Sequence, residues 1–437
     1  MASNVYPAGL ALDLKERELS GKPIRIGLVG CGEMGTDFLC RVALMSGIEV
    51  SHIVSRRIEP ILDALKLIPQ YSHQIITTES KIKSLTAIEQ NKIIVSSDLN
   101  SLLENDLIDV IVDATGHPEA GAQIGYQTLQ HNKHLVMMNV EADVTIGPYL
   151  NLEAKKHGLL YSLGAGDEPS ACMELINFIS AMGHNIIAAG KGKNNPLHFE
   201  ATPDEYNEEA ARRNMNVRML VEFIDGSKTM VEMAAIANAT GLILDKPAMH
   251  GADISLENLA KILIPIEDGG ILHNKGVVDY TIGKGVAPGV FAIAEIRQPR
   301  LRARMKDLSL GNGPYYSFYR PYHLTAMEVP LTCARMVLYG KADMAPMNKP
   351  VAEVCAVAKK NLLPGDKLDF IGLYTYRAFT MNRIDAQKSA AWPCGLLEGA
   401  MITKAVNKGE LLTKANTSIN EKLFIAELRT KQDKIIY

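Results

Sequence analysis

The chain has 437 residues, of which 47% are hydrophobic and 22% are charged, so it is long enough for two or three domains with buried cores. Its 46 basic and 49 acidic side chains give a net charge of −3, without a basic tail or an acidic block. This balance favours neither nucleic acid nor a membrane surface as a partner. The six cysteines lack the paired spacing of metal ligands, which predicts reduced thiols.

The N-terminal segment, residues 1–23, is charged and amphipathic and contains no apolar stretch. We therefore expect no signal peptide and a cytoplasmic location. No run along the chain approaches the roughly 20 apolar residues that a membrane-spanning helix needs.

A glycine-rich motif follows the first predicted strand, Ile24 to Val29. It reads GCGEMG, a G-x-G-x-x-G pattern between two strands that also opens a helix, which predicts a dinucleotide site. Gly30 permits the tight turn, Gly32 lets the backbone approach a pyrophosphate, and Gly35 allows close packing of helix on strand. The N-terminus of the helix favours the phosphate charge. The intervening cofactor-binding candidates are Glu33 and Met34.

The end of the second strand bears on the choice of dinucleotide. Sites for NAD usually place a carboxylate there, about 20 residues past the glycines, to bind the ribose hydroxyl. This chain instead reads Ser55-Arg56-Arg57, and the planar guanidinium of arginine suits a phosphate. We therefore predict NADPH over NADH, with two solvated surface arginines as the alternative.

Further apolar runs, KIIVSS, IDVIVDATG and KHLVMMNVEAD, alternate with helical segments. This alternation predicts an α/β fold with a Rossmann-type, doubly wound parallel sheet. Ligands of such sheets bind at the carboxyl ends of the strands. The additional cofactor-binding candidates there are Asp113, Thr115, Gly116, Asn139 and Glu141.

The stretch SLGAGDEPSACMELI places two carboxylates, Asp167 and Glu168, and then Ser170 at the start of a predicted helix. Two interpretations stay open. The carboxylates cap the helix, or they belong to a site at the mouth of the sheet.

Two polar groups of residues follow in the central region. Lys191, Lys193, Asn194 and Asn195 are predicted on a glycine-flanked turn that binds a phosphate or an oxyanion, with a solvated loop as the alternative. The string RPYH holds Arg320, Tyr322 and His323, which suit phosphate binding or proton transfer, although a structural histidine is an equal alternative.

The remaining patterns concern organisation. The helix DGSKTMVEMAAIANATG is rich in Ala and Met, which indicates core or a subunit interface and suggests a homodimer. Short apolar segments divided by turns predict a β-rich module at the C-terminus. The predicted domains are a nucleotide-binding domain with an N-terminal extension (1–163), a central α+β catalytic and dimerisation domain (164–345) and the β-rich module (346–437).

Several strings together resemble the deoxyxylulose-phosphate reductoisomerase-like family: GKPIRIGLVGCGEMGTD, HLVMMNVEADVTIGPYL, SLGAGDEPSACMELI, AGKGKNNP, DGSKTMVEMAAIANATG and RPYHLT. The resemblance covers nearly the whole chain, and the C-terminal module is similar to a SAF (antifreeze-like, β-clip) domain. It implies NADPH-dependent isomerisation and reduction of 1-deoxy-D-xylulose 5-phosphate to 2-C-methyl-D-erythritol 4-phosphate. That reductoisomerase reaction belongs to the methylerythritol phosphate pathway of isoprenoid biosynthesis.

The resemblance also implies roles for the polar residues. A metal-dependent enzyme of this kind would hold Mg²⁺ or Mn²⁺ on Asp167 and Glu168. The residues expected in catalysis are Asp167, Glu168, Lys191, Lys193 and His323. The residues expected to bind the phosphorylated sugar are Ser170, Asn194, Asn195, Arg320 and Tyr322.

The nucleotide-binding region and the layout also resemble homoserine dehydrogenase. That family has an Asn-Lys pair after the fifth strand, whereas this chain has Asn139-Val140-Glu141 without the lysine, which argues against homoserine oxidation. Two alternatives therefore stand beside the reductoisomerase. One is an NADP-dependent dehydrogenase of another hydroxy-acid or sugar-acid substrate, and the other is a non-catalytic NADPH-binding sensor.

Overall fold

The computed structural model describes residues 8–71 and 74–436, so residues 1–7 of the N-terminal segment lie outside it. The chain forms two compact units that are discontinuous in sequence. The first extends to Asp167 and adds Leu324–Ala345, and the second comprises Glu168–His323 and resumes at Pro346. The three predicted domains, which are continuous segments, stay a prediction.

The regular elements of the described residues are numbered in chain order. The α-helices are α1 (Leu10–Leu19), α2 (Glu33–Val42), α3 (Glu59–Lys66), α4 (Lys81–Glu89), α5 (Leu99–Leu103), α6 (Pro118–Gln130), α7 (Val140–Lys156), α8 (Glu168–Ala181), α9 (Pro203–Arg212), α10 (Val217–Ile224), α11 (Ser227–Thr240), α12 (Leu259–Ile262), α13 (Pro299–Asp307), α14 (Val329–Tyr339), α15 (Arg383–Lys388) and α16 (Phe424–Ile436). The strands are β1 (Ile24–Val29), β2 (Ile48–Val54), β3 (Ile75–Thr77), β4 (Ile93–Ser96), β5 (Val110–Asp113), β6 (His134–Met137), β7 (Tyr161–Leu163), β8 (Asn185–Gly192), β9 (Ile243–Leu244), β10 (Val277–Thr281), β11 (Val290–Glu295), β12 (Tyr315–Arg320), β13 (Ala352–Ala358), β14 (Tyr376–Asn382), β15 (Met401–Ile402) and β16 (Thr417–Ser418).

The first unit is built on a seven-stranded sheet in the order β3-β4-β2-β1-β5-β6-β7, in which neighbouring strands run parallel. Leu28 and Val29 of β1 point to opposite faces of the sheet and are both buried, as expected for a strand covered on both faces. The predicted doubly wound α/β fold is therefore confirmed. The strand order reverses at β1, and ligands of such sheets bind at the carboxyl ends beside that point.

The segment Leu324–Ala345 joins the first unit through α14, which packs against α2, β1 and β6. Thr332 on this helix accepts a hydrogen bond from the backbone N–H of Ala165 at 2.8 Å. A Cβ on Gly164 would lie 2.8 Å from the Val329 side chain, so the close approach of α14 requires glycine at that position. The chain after β7 is thus held against a helix that is distant in sequence.

The second unit contains a five-stranded sheet in the order β12-β11-β8-β10-β9, with β8 parallel to β10 and antiparallel to β11. Helix α8 packs on β8 and β11, and α11 packs on α8 and β10. Met230 and Met233 of α11 are buried inside this unit, so the Met-rich helix is core. It therefore no longer supports the homodimer, which stays a prediction.

The C-terminal residues of the second unit contain the antiparallel pairs β13–β14 and β15–β16, followed by α16. Both β13 and β14 pack against α11. The arginines Arg383 and Arg429 converge on the buried carboxylate of Glu353 in β13. This ion cluster fastens α16 to the hairpin.

Three local predictions differ from the structure. The strand predicted in KHLVMMNVEAD ends at Met137, because Asn139 caps α7 with its side chain. The predicted turn at Lys191 is wrong, since Lys191 lies in β8 and is buried. The string TPDEYNEEAARRNMNVRMLVEF, with Thr202 as cap and Glu205 in the first turn, predicts a long helix, but the helix that begins after Thr202 ends at Arg212.

Two further observations concern the chain as a whole. Within residues 8–71 and 74–436, the helices are all too short or too polar to cross a bilayer. All six cysteines are free, as predicted.

Candidate functional site

The glycine-rich turn of the first unit has the backbone that a dinucleotide site needs. Gly30 adopts φ +95°, and a Cβ there would lie 2.9 Å from the backbone of Ala114. A Cβ on Gly35 would lie 2.4 Å from the Gly30 carbonyl oxygen, so α2 packs closely against the turn. Gly32 faces open space, which leaves the backbone accessible to a pyrophosphate. The predicted candidates Glu33 and Met34 lie in the first turn of α2.

The two arginines predicted to select NADP follow β2 at the same edge of the sheet. Strands β1 and β2 are in parallel register at their ends, and the Gly30 N–H donates to the Val54 carbonyl at 2.8 Å. Ser55 comes next and is half-buried, whereas Arg56 and Arg57 are exposed. Their guanidinium groups are therefore accessible beside the glycine turn, where a ribose phosphate would need them.

Asp113 and Asn139 organise the loop after β5. The Asp113 carboxylate is fully buried and accepts hydrogen bonds from the N–H and the hydroxyl of Thr115, at 2.9 and 2.7 Å. The Asn139 amide donates to the His117 carbonyl at 2.9 Å, while its oxygen accepts from the Ala142 N–H at 3.1 Å. Burial, opposed by the hydrogen bonds from Thr115, raises the pKa of Asp113 to about 6. Because these groups are engaged with the loop, they shape its backbone.

The other cofactor candidates lie around this loop. Gly116 adopts φ +63° in the exposed part of the loop, and Glu141 is half-buried in the first turn of α7. One contact nearby was not predicted from the sequence: the hydroxyl of Tyr161 donates to the buried Asp143 carboxylate at 2.6 Å. Burial, opposed by this hydrogen bond, raises the pKa of Asp143 to about 7.

Lys191 is the centre of a buried charge cluster in the second unit. Its ammonium on β8 lies 2.9 Å from Glu168 Oε1, at the start of α8, and contacts the Glu232 carboxylate of α11. The side chains of Lys191, Glu168 and Glu232 are 6%, 14% and 0% exposed. Burial alone would lower the pKa of Lys191, but the two carboxylates raise it above its ordinary value. Lys191 is therefore a permanent cation.

His323 extends this cluster. Its Nδ1 lies 2.7 Å from the Pro288 carbonyl oxygen, so Nδ1 carries a proton and donates. Its Nε2 lies 3.5 Å from Glu168 Oε1. The imidazole thus bridges a backbone carbonyl and the carboxylate that binds Lys191.

Lys193 lies just beyond the end of β8 and is held differently from Lys191. It is 7% exposed, and its ammonium donates to the carbonyl oxygens of Asn195 and Phe223 at 2.8 and 2.7 Å. Burial, reinforced by repulsion from Lys191, lowers the pKa of Lys193 to about 8. An amine with a pKa near neutrality is suited to moving a proton in either direction.

The other predicted substrate-binding residues divide into engaged and accessible groups. Arg320 forms an ion pair with Glu174 at 2.7 Å, and its guanidinium lies 4.9 Å from the centre of the exposed Tyr322 ring. Asn194 is exposed and accepts a hydrogen bond from Asn195 at 3.2 Å. Ser170 is buried in the first turn of α8.

The predicted metal ligands Asp167 and Glu168 each contact another polar side chain in the structure. Glu168 is paired with Lys191, so the positive charge that balances this carboxylate is an ammonium. Asp167 ends the first of the two segments that form the first unit, and its carboxylate accepts a hydrogen bond from the Thr325 hydroxyl at 3.4 Å. The prediction of a metal-dependent enzyme is contradicted by the family models that match this chain, which describe an NAD-binding domain and an oxidoreductase catalytic domain.

Glu232 was missed by the sequence analysis, although a signal was present. It is the one acidic residue of α11, SKTMVEMAAIANAT, and lies within the apolar run from Met230 to Ala237. A carboxylate inside an apolar run calls for a buried partner, because an unpaired buried charge is costly. Its partner, Lys191, lies 41 residues away in sequence.

Two family models match consecutive segments of the chain. Residues 30–163 match the model described as homoserine dehydrogenase, NAD binding domain. Residues 166–329 match the model described as oxidoreductase DRL, catalytic domain. Together with the glycine turn and the parallel sheet, these matches indicate an NAD(P)-dependent oxidoreductase. No curated protein matches the sequence.

Solved structures show weaker likeness. A probable dehydrogenase from Thermotoga maritima is 12% identical, with a TM-score of 0.42 over 73% of this chain and 90% of that chain. Apo scyllo-inositol dehydrogenase from Lactobacillus casei is 14% identical, with a TM-score of 0.42 over 73% of this chain and 89% of that chain. These TM-scores are too low to carry an argument about function.

The findings contradict the predicted membership of the deoxyxylulose-phosphate reductoisomerase-like family. The matching models describe an oxidoreductase catalytic domain and the NAD-binding domain of homoserine dehydrogenase. Neither match extends into residues 346–437, where the SAF-like module was expected. The reductoisomerase activity and the place in isoprenoid biosynthesis are therefore wrong, and the dehydrogenase alternative fits better.

Proposed function

We propose that this protein is an NADP-dependent dehydrogenase of a small hydroxy-acid or sugar-acid substrate. The observation that carries the proposal is the pair of buried lysines at the end of β8, of which Lys191 is bound by two carboxylates and Lys193 by two carbonyl oxygens. One fixed cation beside one titratable amine is an arrangement suited to proton transfer at a hydroxyl or carbonyl oxygen.

Lys193 is the proton carrier in this proposal. Two of its N–H donors are used by Asn195 and Phe223, and an ammonium has a third donor for a substrate oxygen. A bound nicotinamide supplies hydride exchange with the substrate carbon. When a carbonyl is reduced, Lys193 gives its proton to the oxygen, and when an alcohol is oxidised, the neutral amine takes the hydroxyl proton.

Lys191 and His323 support this transfer without carrying the proton to the substrate. The fixed charge of Lys191 holds Glu168 and Glu232 in place and keeps the pKa of Lys193 low. The His323 side chain is 21% exposed and adjoins Glu168, so it connects the buried cluster to solvent.

NADP is the proposed cofactor because of the end of β2. The exposed Arg56 and Arg57 offer bidentate donors for a 2′-phosphate, and Ser55 stands where an NAD site usually has a carboxylate. The open backbone at Gly32 fits the pyrophosphate of either dinucleotide.

The charges of the second unit bear on the substrate. Lys191 and Arg320 are each paired with carboxylates, whereas Lys193 and the exposed Asn194 offer donors to an acidic substrate group. The carboxylate of a hydroxy acid or sugar acid needs a hydrogen-bond donor of this kind, so the donors present suit such a substrate. The phosphorylated sugar and the homodimer predicted from the sequence stay proposals.

The test is an absorbance assay at the reduced nicotinamide band with a panel of hydroxy acids, sugar acids, phosphorylated sugars and their keto forms. We expect NADP-dependent turnover of one substrate class, and Lys193→Met should reduce kcat by about a hundredfold or more because general acid–base catalysis is lost.

Lys133→Met is the matched control. Lys133 is also buried and donates to two carbonyls, of Asn105 and Ile108, at 2.6 and 3.1 Å. Both variants therefore lose comparable hydrogen bonds, yet only the Lys193 variant should lose turnover. NADPH binding without turnover of any panel member would favour the non-catalytic sensor and contradict the proposal.

A further inference from the structure

The C-terminal end of α10 binds two lysines from different parts of the second unit. The Phe223 carbonyl oxygen accepts from Lys193 at 2.7 Å, and Asp225, the C-cap residue, forms an ion pair with Lys359 at 2.6 Å. The side chains of Lys359 and Asp225 are 1% and 0% exposed. The proton carrier of the proposed function is thus hydrogen-bonded to a helix end that a second, fully buried lysine holds.

Lys359 is itself rigidly placed. It follows β13 and donates to the carbonyl oxygens of Ala201 and Leu373, both at 2.8 Å, in addition to the Asp225 carboxylate. An ammonium has three donors, so this lysine is fully engaged by the protein. Its partners leave no donor for a substrate, which separates its role from that of Lys193.

Lys359 lies between β13 and β14, and this hairpin is also hydrogen-bonded to α11. The Ala378 N–H of β14 donates to the Ser227 hydroxyl at 2.9 Å, and the Thr380 hydroxyl donates to the Met230 carbonyl at 2.8 Å. Helix α11 carries Glu232, the partner of Lys191. The C-terminal hairpin therefore supports both Asp225 and the helix of Glu232.

We propose that Lys359 and Asp225 are positioning residues for Lys193, through which the C-terminal hairpin fixes the proton carrier of the second unit. The pair anchors the end of α10, so that the Phe223 carbonyl and the Asp225 carboxylate keep their places beside the ammonium. This inference rests on the proposed function of Lys193, and it gives residues after Pro346 a part in the reaction.

The charges that face Lys193 come from three elements. Lys191 on β8 repels the ammonium and lowers the pKa of Lys193, after the larger effect of burial. Asp225 at the end of α10 and Glu232 on α11 attract the ammonium and raise the pKa. Removing the Asp225 charge should therefore lower the pKa of Lys193 further, below about 8.

The experiment measures the titration of Lys193 in the full chain by NMR of labelled lysine side chains, with Lys193→Met used to assign the signal. The main variant is the double substitution Asp225→Asn with Lys359→Met, because removing both charges leaves no buried unpaired ion. We expect the Lys193 midpoint to fall by about half a pH unit or more. An unchanged midpoint in the folded variant overturns the inference.

Two further measurements keep the test decisive. If the double variant does not fold, Asp225→Asn alone removes the same facing charge, and a midpoint that stays or rises there overturns the inference. Lys133→Met, a buried lysine of the first unit, should leave the Lys193 midpoint unchanged. The titration needs no turnover, so the two proposals can fail separately. A shifted midpoint in a protein that turns over no substrate of the panel refutes the proposed function alone. Turnover with an unshifted midpoint refutes the positioning role alone.

Discussion

At the scale of single residues, the difference between Lys191 and Lys193 is the main chemical feature of the second unit. They are two positions apart at the end of β8, and both are buried. Lys191 contacts two carboxylates, which raise its pKa, whereas Lys193 contacts two carbonyls, and burial lowers its pKa to about 8. Neighbouring residues of one type therefore have different protonation behaviour because their partners differ.

This difference predicts the pH dependence of the reaction. Carbonyl reduction needs the ammonium of Lys193, so kcat/KM should be highest below the pKa of about 8 and fall as the pH rises through it. Alcohol oxidation needs the neutral amine, so kcat/KM should rise through the same pH. The measurement is the steady-state rate in both directions from about pH 6 to about pH 10, a range that brackets this pKa.

The matched variant for this profile is Lys193→Arg, whose guanidinium stays charged throughout the range. It should remove the pH dependence near pH 8 and abolish oxidation. Profiles for the two directions that move together with pH would show that another group titrates.

At the scale of elements, the first unit was largely predictable and the charge cluster was not. The strand, the glycine turn and the helix of residues 24–42 are encoded by adjacent residues, because apolar periodicity and backbone freedom act locally. The contact of Lys191 with Glu232 joins residues 41 apart, and the pattern around Lys191 was interpreted as a turn. Which buried carboxylate meets which lysine depends on the packing of α8 and α11 on β8, which local patterns do not specify.

The end of β2 gives a prediction at the element scale. Replacing both Arg56 and Arg57 by Ser should raise the KM for NADPH about tenfold or more, because charge-assisted bonds to the 2′-phosphate are lost. The KM for NADH should change much less. Initial rates with each cofactor over a concentration series test this, with the exposed Arg304 of α13 replaced by Ser as the control.

Equal losses with NADPH and NADH would contradict the role assigned to these arginines. Such a result would indicate that they stabilise the strand end or its neighbours, and that the 2′-phosphate is bound elsewhere.

At the scale of the whole molecule, the C-terminal residues make buried polar contacts with the rest of the second unit. Lys359 pairs with Asp225, and the β13–β14 hairpin hydrogen-bonds to α11. In the same unit, Glu353 of β13 binds Arg383 and Arg429, whose side chains are 8% and 6% exposed. The integrity of the C-terminal part therefore depends on buried ion pairs.

Glu353→Gln tests this dependence. The substitution keeps the shape of the side chain but removes the carboxylate that the two buried guanidinium groups share, while Asp433 still pairs with each of them. Removing one partner of a buried ion pair typically costs about 3–5 kcal/mol, so we expect a lower unfolding midpoint in thermal or denaturant melts. Glu427→Gln on α16 is the control, because its ion pair with Lys431 is exposed and contributes about 0–1 kcal/mol.

If the two variants melt alike, the cluster does not hold α16. If Glu353→Gln also loses NADP-dependent turnover while the folded fraction is unchanged, the C-terminal hairpin contributes to the reaction beyond its contribution to stability.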